Sequence, residues 1–192
     1  MYKFILNKIR QFIKLRLIKS KNTNLKLGEK VRIDWKTDIR SGDNLLKIGD
    51  NVYLRSNPIG YHAGMAFPTA ILIDKQGAEC QIGANCRING AYIHAQSKIS
   101  IGMNTVIASG TNIIDSNGHQ TLSNNRTKGR DIPKEIIIGN NVWIGLNSTI
   151  LKGTVIGDNS IIAAGSIVKG KFPKNSLIQG NPTKIVKELN IN

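Results

Sequence analysis

The stretch IGNNVWIGLNSTILKGTVIGDNSIIAAGSIV, residues 138–168, decides the fold of this chain. Within it an aliphatic residue recurs at every sixth position, and glycine directly follows three of these residues. The recurring positions are Ile138, Ile144, Ile150, Ile156, Ile162 and Val168. A period of six matches neither the 3.6-residue period of a helix nor the two-residue period of a flat strand. It predicts a solenoid in which each unit is one short strand and one corner, and three units complete one coil of a triangular prism.

The same period continues towards the N-terminus in shorter runs. These are Leu27, Ile33, Ile39 and Leu45, a restart in a new phase at Ile48, then Ile82 and Ile88, then Ile101, Ile107 and Ile113. Glycine, asparagine and aspartate are frequent at the predicted corners because they tolerate positive φ. We therefore predict an all-β fold, a parallel β-helix over residues 23–170.

Two segments interrupt the period. Residues 54–70 are rich in glycine and proline, and residues 115–137 are polar and basic. In a prism with regular walls such segments are loops that leave the surface, and loops carry functional residues more often than walls do. Beyond residue 170 the period ends, and we predict a short helix near the end of the tail, residues 171–192.

The N-terminal segment, residues 1–22, is strongly basic. The chain has 192 residues with 27 Lys+Arg against 12 Asp+Glu, a net charge of +15, and nine basic residues lie in residues 1–30. Apolar residues at three- and four-residue spacing predict an amphipathic helix over residues 2–19. They are Tyr2, Ile5, Leu6, Ile9, Phe12 and Ile13. Such a helix suits an anionic membrane surface; packing on its own domain or on a neighbouring subunit is the alternative.

Composition narrows the setting and the partners. No apolar run of the sequence approaches the roughly 20 residues that span a bilayer, and no signal-cleavage pattern follows the first twenty residues. Cys80 and Cys86 are too few for a disulfide framework. These features favour a cytoplasmic protein, with peripheral contact at the inner membrane face as an option. The charge indicates a phosphorylated ligand, a membrane surface or nucleic acid, and the sequence lacks the aromatic–basic interleaving of nucleic-acid binders.

Four segments of the chain resemble the hexapeptide-repeat acyltransferases. They are IDSNGH (114–119), IGNNVWIG (138–145), GTVIGDNSIIAAGSIV (153–168) and QGNPTKIVK (179–187). The closest subgroup is the acetyl-CoA-dependent O-acetyltransferases of sugars and cell-surface polysaccharides. The resemblance implies a left-handed β-helix and a homotrimer that binds acetyl-CoA as cosubstrate in grooves between adjacent subunits. We expect no metal and no nucleic-acid partner.

The resemblance also implies the reaction. We expect transfer of an acetyl group from acetyl-CoA to a hydroxyl of a sugar, in a cell-surface polysaccharide or its precursor. N-acetylation of a nucleotide-linked amino sugar is the alternative. A metal-dependent enzyme similar to the gamma-class carbonic anhydrases is disfavoured, because His62, His94 and His119 include no closely spaced pair.

Acetyl transfer needs a base for the hydroxyl proton, a donor for the oxyanion and a site that holds both substrates. A histidine suits the first task because its ordinary pKa of about 6.5 leaves it largely neutral at pH 7. His119 follows the corner-like pair Asn117 and Gly118 and stands where the family has its catalytic histidine. Asp115 could orient that imidazole, bind an acceptor hydroxyl or cap the turn. Asn112 is a weaker candidate for acceptor binding.

The coenzyme candidates follow from the resemblance. It places Trp143 beside the thioester, where the indole shields the reacting centre from water; intersubunit packing is the alternative. By the same resemblance, the backbone N–H of Leu146, which follows Gly145, is the candidate oxyanion donor. Ala163 and Ala164 form a corner of small residues against which the pantetheine arm could lie. Candidates for the coenzyme phosphates are Lys169, Lys171 and Lys187.

The other histidines and the cysteines receive weaker assignments. His62 lies in the loop at 54–70, where it could line an acceptor pocket. His94 falls on a core-facing position by the phase of the preceding units, and we predict a structural role for it. Cys80 and Cys86 are predicted to fill space near corners rather than to carry an acyl group.

Overall fold

Short strands wind around three walls, as the period of six predicts. The structure is a computed structural model that describes residues 2–189. Helix α1 spans Tyr2–Lys21. The strands are β1 (Leu25–Leu27), β2 (Arg32–Ile33), β3 (Asp38–Arg40), β4 (Leu45–Ile48), β5 (Tyr53–Arg55), β6 (Ala70–Ile73), β7 (Glu79–Ile82), β8 (Arg87–Asn89), β9 (Tyr92–Ala95), β10 (Lys98–Ile101), β11 (Val106–Ile107), β12 (Asn112–Ile114), β13 (Ile136–Ile138), β14 (Trp143–Ile144), β15 (Thr149–Leu151), β16 (Val155–Ile156), β17 (Ile161–Ile162), β18 (Ile167–Val168), β19 (Lys171–Phe172), β20 (Ser176–Gly180) and β21 (Thr183–Glu188).

As far as β20, every third strand falls on the same wall. Wall A contains β1, β4, β7, β10, β13, β16 and β19; wall B contains β2, β5, β8, β11, β14, β17, β20 and β21; wall C contains β3, β6, β9, β12, β15 and β18. The strands pair in parallel within each wall, except that β21 is antiparallel to β20. The register stacks each inward aliphatic on the next, so that Ile107 pairs with Ile144 and Ile144 with Ile162. This arrangement confirms the predicted fold class, the left-handed parallel β-helix.

The predicted aliphatic rows form the core. All six recurring positions from Ile138 to Val168 are at most 2% exposed. Burying one such side chain contributes about 1.5–3 kcal/mol, so the stacked rows are the main source of stability.

Two core positions were predicted wrongly, and each is displaced by one residue. Leu46 is buried instead of Leu45, because it shares the inward face of β4 with Ile48. Ile93 is buried instead of His94, because the buried residues Ile88 and Ile93 are five positions apart instead of six. The phase of the preceding units therefore does not carry across the corner between β8 and β9.

Asparagines hold the corner between walls A and B. Asn85, Asn104 and Asn141 have φ of 60°, 60° and 52°, in the left-handed region that asparagine tolerates better than most residues. Their side chains form a ladder along the prism, in which Asn85 Nδ2 donates to Asn104 Oδ1 at 3.1 Å and Asn141 Nδ2 to Asn159 Oδ1 at 3.0 Å. The corner residues are thus selected both for backbone conformation and for contact between coils.

The predicted N-terminal helix is present as α1. It packs on its own domain through the buried Ile18, and Lys14 Nζ donates to the Thr37 carbonyl at 2.7 Å. Its other side leaves large apolar side chains exposed, namely Leu6, Ile9, Phe12, Ile13 and Leu17. The side chains of Tyr2 and Ile5 lie outside those that the structure describes. Within residues 2–189, α1 included, no helix is long and apolar enough to cross a membrane.

The tail differs from the prediction. Instead of a helix, residues Thr183–Glu188 form β21, which turns back at Asn181 and pairs with β20. The last parallel strand would otherwise present an unpaired edge, and β21 satisfies those backbone groups. The two loops span residues 56–69 and 115–135, slightly less than predicted, because β5, β6 and β13 take the flanking positions.

Candidate active site

A groove of about 910 Å³ runs along the outer face of wall B. Its floor is a row of outward-facing residues, each directly preceding a buried aliphatic residue, and the strand register aligns them across the wall. In order along the wall they are Arg32, Tyr53, Arg87, Val106, Trp143, Ile161 and Leu177. The repeat therefore builds a continuous strip of side chains from one position of each coil.

The C-terminal half of the groove contains the coenzyme candidates. Trp143, Gly145, Leu146, Ala163 and Ala164 all line it. The Trp143 side chain is 54% exposed, so one face of the indole is available to a ligand. Small side chains next to a broad aromatic surface leave a shallow apolar channel, which fits a flexible aliphatic arm such as pantetheine.

Gly145 and Leu146 form the corner that borders this channel. A Cβ at Gly145 would lie 2.6 Å from the backbone nitrogen of Ala164, so glycine is required by the close stacking of the next coil. In the corner that follows wall A, the amide of Asn140 donates to Asp158 Oδ1 at 2.7 Å. At the Leu146 corner the facing residue is Ala164, which has no side-chain acceptor. Within residues 2–189 the Leu146 N–H has no hydrogen-bond acceptor.

The lysine candidates are exposed and lie outside the groove lining. Lys169 follows β18 on wall C, and Lys171 pairs with Val155 on wall A. Lys187 lies in β21 opposite Leu177, which lines the C-terminal end of the groove. Of the three, Lys187 is therefore the one next to the channel.

The N-terminal half of the groove is basic and aromatic, and the sequence reasoning missed most of it. Tyr53, Arg55, Tyr61 and Arg87 line this half together with the predicted His62. The Tyr61 hydroxyl accepts a hydrogen bond from the Ser109 amide at 3.4 Å, which holds the loop at 56–69 against the wall. A signal was present in the sequence, because Tyr53 and Arg87 stand at the same repeat position as Trp143.

His119 lies in the loop at 115–135 and is exposed. This loop leaves wall C after β12 and returns to wall A at β13. His119 Nδ1 lies 2.9 Å from the Arg126 carbonyl oxygen, and Arg126 Nη1 donates to the Thr121 carbonyl at 2.6 Å. Within one chain His119 is not among the residues that line the groove containing Trp143.

Asp115 anchors the base of this loop. Its side chain is fully buried, and its two oxygens accept from the amides of Gln96 at 2.8 Å and Ser97 at 2.7 Å. Burial raises the pKa of the Asp115 carboxyl, and the hydrogen bonds from these amides oppose that shift. Both oxygens are engaged by backbone, so Asp115 caps a turn of the neighbouring coil. The sequence interpretations in which it orients His119 or binds an acceptor hydroxyl find no contact here.

A second clamp holds the far end of the loop. The Asp131 carboxylate accepts from the Asn117 amide at 2.9 Å and from the Lys152 ammonium. Lys152 also donates to the Ile132 carbonyl at 3.2 Å. The ammonium of Lys152 lowers the pKa of Asp131, and the Asn117 amide adds to this effect.

The other candidates lie away from the groove. Asn112 lies on wall C, where its Nδ2 donates to the Gly110 carbonyl at 3.2 Å. His94 faces outward on the same wall, with Nε2 at 2.9 Å from Asp74 Oδ1.

The two cysteines are buried and are not paired with each other. Burial raises the pKa of Cys80 to about 12, which disfavours a thiolate. Within the described part of the chain, no three His, Cys, Asp or Glu side chains come close enough to hold a metal ion.

The sequence of this chain is similar to those of known proteins. The family model for the hexapeptide repeat of succinyl-transferase matches residues 135–169. The Escherichia coli protein WbbJ, provisionally named a lipopolysaccharide biosynthesis O-acetyl transferase, is 35% identical over 116 residues, which cover 55% of this chain and 59% of WbbJ. Galactoside O-acetyltransferase of Escherichia coli is 37% identical over 115 residues, which cover 59% of this chain and 56% of the relative.

A solved structure is also similar to this chain. Galactoside acetyltransferase in complex with coenzyme A is 28% identical with a TM-score of 0.61, covering 92% of this chain and 70% of that one. The matches to the two curated relatives span less than two thirds of their lengths. In its repeats, its three-walled coil and these matches, the chain is similar to the hexapeptide-repeat acyltransferases.

Proposed function

We propose that the protein is an acetyl-CoA-dependent O-acetyltransferase that modifies a sugar hydroxyl with His119 as general base. The observation that carries this proposal is the hydrogen bond between His119 Nδ1 and the Arg126 carbonyl. A carbonyl oxygen only accepts, so the neutral imidazole must hold its proton on Nδ1. That tautomer leaves a lone pair on Nε2, which is what removal of a hydroxyl proton requires.

The groove on wall B supplies the other two requirements. Its apolar channel fits the pantetheine arm, with Trp143 beside the thioester and Lys187 near the end where phosphates would lie. The Leu146 N–H, which has no acceptor within residues 2–189, is available to the oxyanion that develops as the hydroxyl attacks. Coenzyme A in the galactoside acetyltransferase structure supports this cosubstrate.

A homotrimer would join the two halves of the site. His119 extends from the corner between walls C and A, whereas Trp143 faces out from wall B of the same chain. A site between two subunits would bring His119 and Trp143 together, because the loop of one subunit can lie over the groove of the next. In this assembly Asp115 and Asp131 are positioning residues that hold the loop.

The acceptor we propose is a sugar of a cell-surface polysaccharide or its precursor; the name of WbbJ supports the polysaccharide, and that of galactoside O-acetyltransferase supports a sugar. The exposed apolar side of α1 and its basic residues suit attachment to the inner membrane face, where such precursors are assembled. The alternative is N-acetylation of a nucleotide-linked amino sugar, in which His119 would serve an amine. Mass spectrometry of the product distinguishes an ester from an amide.

Thiol release from acetyl-CoA with saccharide acceptors tests the proposal. We expect His119→Ala to lower kcat by at least about 100-fold, the scale of losing a general base. His94→Ala is the matched control, because it removes a histidine from wall C and should leave kcat within a few-fold. Normal turnover by folded His119→Ala protein would refute the base. A wild-type protein that binds no coenzyme A in calorimetry would refute the function.

A further inference from the structure

We infer that the N-terminal half of the groove is an acceptor subsite for a negatively charged saccharide, a sugar that carries a carboxylate or a phosphate. The subsite is the arginine–tyrosine cluster, defined as Arg32, Tyr53, Arg55, Tyr61 and Arg87. The inference rests on the proposed function and adds the acceptor's chemical class to it.

Stacking holds two of the three arginines in place. The guanidinium carbon of Arg32 lies 4.3 Å from the centroid of the Tyr53 ring, and that of Arg55 lies 5.4 Å from the same centroid. Arg55 also lies 5.6 Å from the centroid of Tyr61. A guanidinium held against an aromatic face presents its N–H groups at its edge, which is a basis of anion recognition by arginine. Arg55 uses one of them, Nη1, to donate to the Gly60 carbonyl at 3.2 Å.

The positive charge of the cluster is not neutralised. Among the described residues none of its three arginines forms an ion pair with a carboxylate. One carboxylate, that of Asp34, contacts the cluster: it accepts from the Tyr53 hydroxyl at 3.1 Å and from the amides of Ser56 and Asn57 at 2.9 and 3.0 Å. Three guanidinium groups line the groove against this single carboxylate, so the cluster keeps a net positive charge. Such a surface attracts anions and is poorly matched to a neutral sugar alone.

The position of the cluster favours the acceptor over the coenzyme. The channel with Ala163 and Ala164 lies on the C-terminal side of Trp143, and so does Lys187. The cluster lies on the opposite side. With strands about 4.8 Å apart, Arg87 is two strands or about 10 Å from Trp143, and Arg32 is four strands or about 19 Å away. These distances span one to a few sugar units beyond the reacting hydroxyl.

The side chains match this ligand class. The arginine fork binds a carboxylate or a phosphate through two parallel hydrogen bonds. The rings of Tyr53 and Tyr61 support the arginines, and the Tyr61 hydroxyl, which accepts from the Ser109 amide, can still donate its own proton to a sugar oxygen.

The test compares three acceptors in the thiol-release assay with the full-length protein. They are a neutral maltooligosaccharide, an oligogalacturonate with carboxylates, and UDP-N-acetylglucosamine with a diphosphate. We expect the wild type to prefer a charged acceptor, and the two charged arms identify whether carboxylate or phosphate is bound. Arg87→Gln and Arg32→Gln should each raise KM for that acceptor about 10- to 100-fold, as loss of a charge-assisted bidentate contact implies. The KM for acetyl-CoA should stay within two-fold.

Arg40→Gln, an exposed arginine on wall C, makes the same charge change outside the groove and should leave KM unaltered. Equal or better use of the neutral acceptor by the wild type would overturn the inference. A raised KM for acetyl-CoA in Arg87→Gln or Arg32→Gln would also overturn it, because the cluster would then bind the coenzyme. Calorimetric titration with each saccharide gives a readout that needs no turnover, and failure of both charged probes to bind overturns it as well. If the protein acetylates only neutral sugars, the inference fails but the proposed function holds. If the protein binds no coenzyme A, the proposed function itself is refuted.

Discussion

Replacing Gly145 with alanine should damage both the stability and the catalysis of this protein. The added Cβ would lie 2.6 Å from the backbone nitrogen of Ala164 and 2.8 Å from the carbonyl oxygen of Ile162. Both atoms belong to the backbone of the next coil, so no side chain can rotate away. Relief requires the two coils to separate locally by roughly 0.8 Å, the shortfall from an ordinary contact of 3.4 Å.

The size of the effect follows from this geometry. Overpacking a well-packed site costs about 1–3 kcal/mol. The Gly145 amide donates to the Ile162 carbonyl at 2.9 Å, and a separation of this size weakens that bond, which adds about 1 kcal/mol. A loss of about 2–4 kcal/mol corresponds to a decrease in Tm of about 4–16 °C for a domain of this length. Displacement of the adjacent Leu146 N–H should also lower kcat about 100-fold, the scale of an oxyanion donor.

Gly139→Ala provides the matched control. Its Cβ would lie 2.7 Å from the backbone nitrogen of Asp158, and its amide makes the equivalent bond to Ile156 at 2.9 Å, yet it lies at the corner after wall A. We expect a similar decrease in Tm, measured by circular dichroism, with kcat per folded protein within three-fold of wild type. An unchanged Tm in Gly145→Ala would refute the packing argument. Equal losses of kcat in both variants would refute the role of the Leu146 amide.

Two further perturbations test the loop and the helix. Lys152→Met should speed trypsin cleavage at Arg126, because the substitution removes the ammonium that binds Asp131 and holds the loop. Since Lys152 lowers the pKa of Asp131, this contact stabilises the loop above the ordinary aspartate pKa and is lost as the pH falls through the lowered pKa. The loop of the variant should therefore loosen at a higher pH than that of the wild type. Unchanged cleavage at every pH would contradict this role. Phe12→Glu should abolish cosedimentation with vesicles containing phosphatidylglycerol if α1 binds membranes. Lys26→Glu, at an exposed position on β1, should only weaken cosedimentation through charge. A wild type that ignores these vesicles would exclude the attachment.

The fold was predictable because one rule applies to every coil. Each buried aliphatic stacks on the equivalent residue of the next unit, so an error in one coil does not spread to its neighbours. The failures at Leu45 and His94 are of this local kind: a spacing of five instead of six between buried residues, or a strand with two inward residues, shifts the phase by one. The tail failed for another reason. Residues 183–188 have no strong alternation, and the open edge of β20 determines their conformation.

The site was predictable in part. Trp143, Gly145, Leu146, Ala163, Ala164 and His62, all candidates from the sequence, line one groove, and their roles there stay predictions. The arginine–tyrosine cluster was missed although the repeat marks it: Tyr53 and Arg87 directly precede buried aliphatics, as Trp143 does. Equivalent positions of successive coils form columns along the prism, and the column that contains Trp143 also contains these two residues.

The separation of His119 from this groove has a topological cause. A loop inserted between β12 and β13 must leave from the corner of walls C and A, whereas Trp143 stands on wall B, so no length of this loop alters the wall from which it starts. In the proposed function, the groove on wall B and the loop at the opposite corner of the prism would each supply half of a site. The proposed threefold assembly completes the site three times with the same two surfaces. It therefore predicts that mixing His119→Ala and Trp143→Ala subunits restores activity at some interfaces, which a site confined to one chain could not do.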